Sequence, residues 1–509
     1  INNLISLILD SEVKGAVKLL AKNNSNSNSS SSNVITIPEV GVDPNHLIEL
    51  LHKIHKNENS AENGKSFAYT YTTVTDMQQF SQALATAYNT FNGSSNSDNV
   101  NHENLLQEVW NTFMHTNALN PMMYPSLRRF ETEVVSMTSW MLHGDGNVAG
   151  SLTSGGTESI LLAVKTYRDR ARALRPNIAR PNMIAPITVH PAFEKAAHYF
   201  DVEIIHVSVD STYRVNIAEV KKAINRNTIL LIGSAPQYCH GVVDPIEALS
   251  ELALSKGLPL HVDACFGGFM LPWLEKLGYP IPLFDFRVSG VTSISADVHK
   301  YGYTSKGASV ILYRNSELRS YQYFAYASWP GGLFGSPSLT GSRPGGAIAA
   351  AWAALVSMGQ NGYLSIAKDV MNTTQQIIEG VEKTNCLGIL TKPDMTCVAI
   401  VSKNKKVNIH AVADLMEQKG WKIERQQYPD SIHMSVLPQH KRIVTQLVSD
   451  LNECANLVLA QPELNNKGST GIYGMVAAIP DHAILDDFII KFFNQIYSTD
   501  PKSLLEDKN

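Results

Sequence analysis

The stretch Thr292-Ser293-Ile294-Ser295-Ala296-Asp297-Val298-His299-Lys300-Tyr301-Gly302-Tyr303 decides how the chain is read. It opens as a run of small and β-branched residues and stops abruptly at His299-Lys300. Strands rich in Val, Ile and Thr are buried elements. An ammonium at the end of such a strand is costly unless it is paired or used. Burial also lowers a lysine's pKa, the condition under which its amine condenses with an aldehyde. Lys300 is therefore read as the anchor of an aldehyde cofactor. Taken alone, the same residues also describe a lysine leaving a strand for solvent.

A second stretch narrows the choice. Gly257-Leu258-Pro259-Leu260-His261-Val262-Asp263-Ala264-Cys265-Phe266-Gly267-Gly268 reads as a short buried strand ending in a carboxylate. The interval to Lys300 leaves room for a helix and a return strand. Pyridoxal 5′-phosphate (PLP) chemistry needs such a pair. A lysine takes the aldehyde, and a carboxylate keeps the ring nitrogen protonated so that the ring accepts electrons. Asp263 alone is equally a helix cap or turn residue. On consecutive strand ends of an α/β pattern, the two together point to PLP.

Bulk properties set the frame. The chain has 509 residues, 44% hydrophobic and 17% charged, as in an ordinary globular enzyme with more than one domain. A net charge of −4 gives no electrostatic case for nucleic acid. Cys239, Cys265, Cys386, Cys397 and Cys454 are scattered without a CxxC pair, which predicts a reducing compartment and no structural metal. No run approaches the roughly 18 apolar residues of a membrane span. Ile1 to Leu9 is too soon interrupted by charge for a signal peptide. Membrane attachment is thus expected only through an anchor that this chain does not carry.

Taken in order, residues 1–42 read as a short amphipathic helix (1–22) and an Asn/Ser-rich disordered linker (23–33). Residues 43–115 read as a helical arm. Residues 116–360 follow as the large cofactor domain, and 361–509 as a smaller α+β domain with a frayed tail from Ser498. Pro121 and Pro125 keep Thr116 to Pro125 irregular, as pocket loops are, and Ser126 is placed as the cap of the next helix. Ser151-Leu152-Thr153-Ser154-Gly155-Gly156-Thr157-Glu158-Ser159 puts small residues before a helix, which leaves N–H groups free for an anion. This turn is assigned to the cofactor phosphate, although a plain glycine turn and cap would look the same. Strands and helices then alternate from Met183 to Ser295, the pattern of a mostly parallel α/β sheet. Thr153 to Gly156, His190, Gln237-Tyr238, Asp263 and Lys300 all fall at or beside strand ends that share one edge. His190 can stack on a pyridine ring or be a satisfied core histidine. Gly331 to Pro337 and Thr340 to Gly346 are long glycine-rich loops of the functional kind. A helix over 347–358, a break near Gly362 and a second helix complete the passage to the smaller unit.

On these motifs the chain resembles the sphingosine-1-phosphate lyase family, PLP enzymes of the group II decarboxylase superfamily. Their fold is the PLP-dependent transferase fold type I, like aspartate aminotransferase, with a large mostly parallel sheet domain and a smaller C-terminal α+β domain. SGGTES and His-Lys are shared with many decarboxylases, whereas HKYGYTSKG with GSRPGG is more specific to the lyases. The resemblance implies that Lys300 carries the cofactor aldehyde, Asp263 pairs the ring nitrogen and His190 stacks on the ring. It implies that Gly156 and Thr157 hold the cofactor phosphate with His299 beside it. Tyr71, Lys306 and Ser342 match positions that hold the substrate phosphate or assist the chemistry, and Tyr238 matches an aromatic pocket position suited to proton transfer. One departure stands out. The family reads Asn-Pro-Leu-His-Pro-Asp in the pocket loop, and here Asn120 replaces the histidine that meets the substrate phosphate. Asparagine donates a hydrogen bond but carries no charge.

The implied activity is retro-aldol cleavage of the C2–C3 bond of a phosphorylated sphingoid base, giving a long-chain aldehyde and phosphoethanolamine in sphingolipid catabolism. The family also implies a homodimer with shared active sites. Its eukaryotic members have an endoplasmic reticulum membrane location with a cytosolic catalytic domain; the alternative is a cytosolic protein. A PLP-dependent amino-acid decarboxylase of the same fold is the second reading. Lys306, Ser342 and Tyr71 together favour a phosphate headgroup over a lone carboxylate. A scaffold that had lost the chemistry would need neither Lys300 nor Asp263.

Overall fold

Five short strands, four of them largely buried, form the parallel heart of the main sheet, as strands covered by helices must be. The computed structural model describes residues 64–67, 102–466 and 482–498. Its strands are β1 (Ala149–Thr153), β2 (Asn182–Pro186), β3 (Glu203–Val207), β4 (Thr228–Ser234), β5 (Leu260–Asp263), β6 (Val291–Ala296) and β7 (Ser309–Tyr313). They lie in the order β1-β7-β6-β5-β4-β2-β3. The pairs from β3 across to β6 are parallel, and β7 is antiparallel to both of its neighbours. β4 and β7 are buried along their whole length.

Helices Gly156–Leu174 and Ala192–Phe200 pack Ile160, Leu161, Val164, Tyr167, Phe193 and Ala196 into one apolar cluster with Met183, Leu230 and Ile232 of the sheet. Helix Ile217–Ala223 is capped by the Asn216 side chain, which accepts from the N–H groups of Ala218 and Glu219. The carboxyl ends of β1, β2, β4, β5 and β6 share one edge of the sheet. Ligands of open α/β folds bind at such an edge.

A hairpin of β8 (Phe324–Tyr326) and β9 (Phe334–Ser336) follows the main sheet. Helix Gly345–Glu382 then leads to an antiparallel sheet of β10 (Leu387–Ile389), β11 (Cys397–Ser402), β12 (Glu424–Gln426) and β13 (Ser431–Ser435), ordered β10-β11-β13-β12. Helices Ile409–Gln418 and Gly345–Glu382 pack on it, and Val444–Ala460 packs against both of those helices. Gly64–Pro462, with both sheets, forms one compact unit, and the described residues from Glu463 onward belong to another. The described part of that other unit includes helix His482–Ile496, with Ile489, Ile490 and Phe493 exposed. Among the described residues no helix is long and apolar enough to cross a membrane.

Several local expectations shift. The helix expected to start after Ser126 opens at Pro125, where a missing N–H costs nothing. The loop read over 331–337 contains β9, because three residues, two of them exposed, carry no alternation to detect. The expected break between helices near Gly362 falls at Gly359, at φ 55°. The stretch read as the phosphate turn begins with strand β1. Residues 64–67 and helix His102–Phe113, from the expected arm, pack on the large unit. Phe67 is buried beside Trp421 and His440, while Leu106 and Trp110 sit against Ala350, Ala353 and Ala354. The expected N-terminal helix, the Asn/Ser linker, most of the 43–101 arm and the tail beyond 498 lie outside the described residues.

Leu231 sits fully buried in the middle of β4. Leu231→Ala removes that packing and leaves a cavity, and is expected to destabilise the large unit by about 2–5 kcal/mol. Urea unfolding is the check: the midpoint falls while the slope stays unchanged.

Candidate active site

The turn after β6 carries the lysine. Lys300 Nζ lies 3.1 Å from Asp297 Oδ2 and 5.4 Å from the centre of the Phe266 ring. His299 Nε2 is 3.7 Å from the same carboxylate oxygen. Burial works against charge on Asp297, but Lys300 and His299 outweigh it and hold its carboxyl below the usual range. Burial lowers His299, with Lys306 and Lys300 adding to the effect against Asp297. Asp297 Oδ1 is buried without a hydrogen-bond partner among the described residues.

The turn after β1 meets this carboxylate from the other side. A Cβ on Gly156 would stand 2.7 Å from Asp297 Oδ2 and 2.9 Å from Cys265 Sγ, so only glycine fits. Gly155 precedes helix Gly156–Leu174, and no side chain caps that helix end. Its first N–H groups, with Thr157 exposed on the first turn, form the kind of cradle that takes a phosphate. Glu158 holds the turn in shape by accepting from Ser154 N (2.7 Å), Ser154 Oγ (2.6 Å) and Leu339 N (3.1 Å). Behind it, the hydroxyls of Thr153, Ser159 and Ser309 form a buried chain at 2.7 and 2.8 Å.

Asp263 closes β5 and is buried. Its Oδ1 accepts from Cys265 N at 3.0 Å and from Ser295 Oγ at 3.3 Å. His190 follows β2 with its ring open to the pocket; its Nδ1 accepts from Ala192 N at 3.1 Å. A neutral ring in that position carries its proton on Nε2. Burial lowers its pKa; Lys300 adds to this, while Asp263 and Asp297 oppose it. Lys300, Asp263, His190, His299, Gly156 and Asp297 thus come together at the ends of β1, β2, β5 and β6.

The residues expected around the substrate are placed more unevenly. Tyr238, half-buried, is stacked on His433 (ring centres 4.0 Å apart) and meets Phe266 edge-on at 5.9 Å. Lys306 donates to the His299 carbonyl at 3.4 Å. Its residue is exposed, but its ammonium points to where protein displaces water; that desolvation, with Lys300 nearby, pushes it down to about 8. Ser342 Oγ accepts from Asn117 Nδ2 at 3.0 Å, and Arg343 anchors the same loop on Glu131 at 2.8 Å. Asn120 turns its side chain into its own loop, where Oδ1 accepts from Met122 N and Met123 N. Tyr71 lies outside the described residues. His143, Glu275 and Asp285 cluster closely enough to ligate a cation, but Arg287 already ties Glu275 to Asp285 at 2.7 and 2.8 Å.

Sequence reasoning missed Asp297, Glu158, Asn117 and His433. Asp297 had a readable signal, since a second carboxylate closes the same strand that delivers Lys300. Glu158 sits one turn into the helix after SGGT, where its reach back to Ser154 is a local pattern. Asn117 and His433 depend on pairings across the fold that no local spacing encodes.

A sequence model of the pyridoxal-dependent decarboxylase conserved domain matches residues 89–403. The sphingosine-1-phosphate lyase of Arabidopsis thaliana is 44% identical over 406 residues, covering 79% of this chain and 74% of that one. The solved sphingosine-1-phosphate lyase of Burkholderia pseudomallei superposes with a TM-score of 0.79 at 38% identity, covering 92% of this chain and 98% of that one. The glutamate decarboxylase of Lactobacillus brevis, at 17% identity and a TM-score of 0.69 over 84% of this chain and 96% of that one, shares the fold. The architecture is the PLP-dependent transferase fold type I, and the cofactor is PLP.

Gly156→Ala is expected to weaken PLP affinity at least about tenfold, because the new methyl and the Asp297 carboxylate claim the same space. Titrating the apoprotein with PLP and following tryptophan fluorescence measures it.

Proposed function

The chain belongs to the pyridoxal-dependent decarboxylase family and, within it, to the sphingosine-1-phosphate lyases, and from that membership we propose that it cleaves the C2–C3 bond of a phosphorylated sphingoid base. The products are a long-chain aldehyde and phosphoethanolamine. The observation that carries this reading is the meeting of Lys300, Asp263 and His190 beside a second ammonium, Lys306.

The residues fit PLP. The bare Gly156 turn at an uncapped helix end suits a phosphate, and the open His190 ring suits a flat heterocycle. In this reading Lys300 would carry the cofactor, Asp263 its ring nitrogen, His190 its face, and Gly156, Thr157 and His299 its phosphate. When bound, the cofactor supplies an aldehyde that takes up the substrate amine and a protonated ring that accepts the electron pair of the broken bond.

The protein's own groups do the rest. Asp297 at 3.1 Å holds the Lys300 ammonium at the strand end. Lys306 supplies a compact positive charge for the terminal phosphate. Ser342, oriented by Asn117, supplies a hydroxyl for the same group. Tyr238, held between His433 and Phe266, would in this reading move the proton of the 3-hydroxyl at its phenolic oxygen. Only the Oδ1 of Asn120 is engaged in its own turn, which orients the amide and leaves its Nδ2 to donate, so phosphate recognition in this reading rests on Lys306, Ser342 and Asn120, with Tyr71 as an expected further contributor. Lys306 is also what favours the lyase over an amino-acid decarboxylase of the same fold, whose substrates lack a phosphate.

The working form is proposed to be a homodimer. Phe324, Tyr326, Trp329 and Leu333 stand exposed on and beside the β8–β9 hairpin, an apolar surface that a second copy would cover. All five cysteines are free, which suits a catalytic unit facing the cytosol, at the endoplasmic reticulum where an anchor is supplied.

Incubating the purified protein with a phosphorylated sphingoid base is expected to yield long-chain aldehyde, and its visible cofactor band is expected to vanish in Lys300→Ala. A band without aldehyde would retain the cofactor and discard the substrate in favour of amino acids. Lys306 adds a pH signature. Its ammonium is charged below about 8 and neutral above it, so KM is expected to rise as pH climbs through that value. Lys306→Arg, charged throughout, should remove the rise; steady-state kinetics from pH 6.5 to 9.5 measure it.

A further inference from the structure

Behind Asp263 runs a buried row of polar side chains that the chemistry described so far does not use. Tyr167 Oη donates to Ser293 Oγ at 2.8 Å. Ser293 Oγ lies 2.8 Å from His261 Nδ1. His261 Nε2 lies 3.3 Å from Ser295 Oγ, and Ser295 Oγ donates to Asp263 Oδ1 at 3.3 Å. His261, Ser293 and Ser295 have no exposed surface, and Tyr167 is 1% exposed. The row threads from helix Gly156–Leu174 through alternate residues of β6 and β5, on the face where pleating puts them together.

Valence fixes the direction of every bond. A carboxylate only accepts, so the one hydrogen of Ser295 Oγ goes to Asp263. Ser295 must then accept from His261, which puts the ring proton on Nε2. Burial pushes His261 down to about 4, so the ring is neutral and Nδ1 has no hydrogen. Nδ1 therefore accepts from Ser293, and Ser293, its hydrogen spent, accepts from Tyr167. Each donor points toward Asp263, and dipoles aligned head to tail reinforce one another. The row also has a geometric result. Both hydrogen bonds to Asp263, from Ser295 Oγ and Cys265 N, fall on Oδ1, so Oδ2 is the oxygen left for a cation.

We propose that His261 and Ser295 are positioning residues for Asp263, a one-way hydrogen-bond relay that fixes its carboxylate so that Oδ2 is presented to the protonated ring of the cofactor. The proposal rests on the reading of Asp263 as the partner of that ring. Neither residue has any surface open to the pocket. Their effect passes through the orientation of one carboxylate, toward which the aligned donors turn their positive ends.

Three variants and one labelled sample test the relay: Ser295→Ala, His261→Leu and His261→Gln, with Asp263→Ala as the reference. Ser295→Ala breaks the row beside Asp263 at the loss of a single oxygen. His261→Leu removes both ring nitrogens. His261→Gln restores an N–H near the Nε2 position. Expected for Ser295→Ala and His261→Leu are a dissociation constant for PLP raised at least about fivefold, a shifted visible band, and a lower kcat with KM nearly unchanged. His261→Gln should recover most of the affinity. In 15N-histidine spectra of the unsubstituted protein, the signal lost in His261→Gln should be that of a neutral ring protonated at Nε2. PLP affinity and band position within twofold and unshifted in Ser295→Ala would overturn the relay, as would a His261 ring protonated at Nδ1. If Asp263→Ala weakens PLP while Ser295→Ala and His261→Leu do not, the relay fails and the reading of Asp263 stands. If Asp263→Ala also binds PLP normally, both fall. Thermal unfolding of the apoproteins separates these effects from misfolding, because Ser295→Ala is expected to keep the wild-type midpoint while its affinity drops.

Discussion

A buried carboxylate and a lysine 3.1 Å apart, Asp297 and Lys300, set the terms for everything around them. Neither charge would be stable alone at the end of a buried strand. Each makes the other tolerable, and the demands of the pair spread outward. The phosphate turn must be glycine where it passes the carboxylate, since a methyl at Gly156 would stand 2.7 Å from it. The floor under the ammonium is the Phe266 ring, which attracts a cation without competing for its hydrogens. The Cys265 thiol, pushed well above its ordinary value by burial and by both aspartates, stays protonated and inert between them. The chain has built a place where an amine can be held, largely shielded from solvent, and then released to a reaction.

The second constraint is that a site at the edge of a sheet must borrow walls from loops. Those loops are pinned rather than left to close by chance. Arg343 binds Glu131 at 2.8 Å, and Glu131 in turn accepts from Leu152 N at 3.0 Å, which fastens the glycine-rich loop to β1. Asn117 accepts from Arg343 N at 3.1 Å and donates to Ser342 at 3.0 Å, so the pocket loop and the Ser342 loop form one surface. Half-buried bonds of this kind add little stability singly. Their value lies in holding side chains within the tolerance that chemistry requires.

The parallel sheet was legible because short, mostly buried runs with apolar and β-branched residues alternate with helical patterns. Lys300, Asp263 and the Ser154-Gly155-Gly156 turn were legible for a related reason. Charge or bare glycine at the end of such a run conflicts with burial, and conflicts of that kind collect at functional sites. Asp297 carried the same signal but stood in the shadow of the lysine that it serves. The β8–β9 hairpin was illegible because its strands are three residues long and mostly exposed. Asn120 illustrates a subtler limit. A departure from the family pattern locates a position, but only the folded loop reveals that its amide oxygen accepts from Met122 and Met123.

The placing of Tyr238 shows why the two sheets of the large unit cannot be considered separately. Tyr238 lies in the turn after β4, yet its ring is stacked on His433 of β13, and its carbonyl accepts from the Cys397 thiol of β11. The turn is held against that second sheet by a tight seam. Gly241, at φ 72°, brings its backbone so close to Cys397 that a Cβ would be 2.3 Å from the Cys397 carbonyl. Asp394 completes the seam by donating its N–H to Gly241 O at 2.9 Å and by accepting from Val243 N and Arg214 at 2.7 Å. Burial keeps His433 neutral, pushing it down to about 3, so it offers the tyrosine a flat ring without a positive charge. A side chain proposed to move a proton is thus aimed by the smaller sheet, while the lysine it must work beside is aimed by the larger. Their relative position is set by Gly241 and Asp394, two residues with no part in the chemistry, and a shift of that seam would alter reactivity before it altered binding.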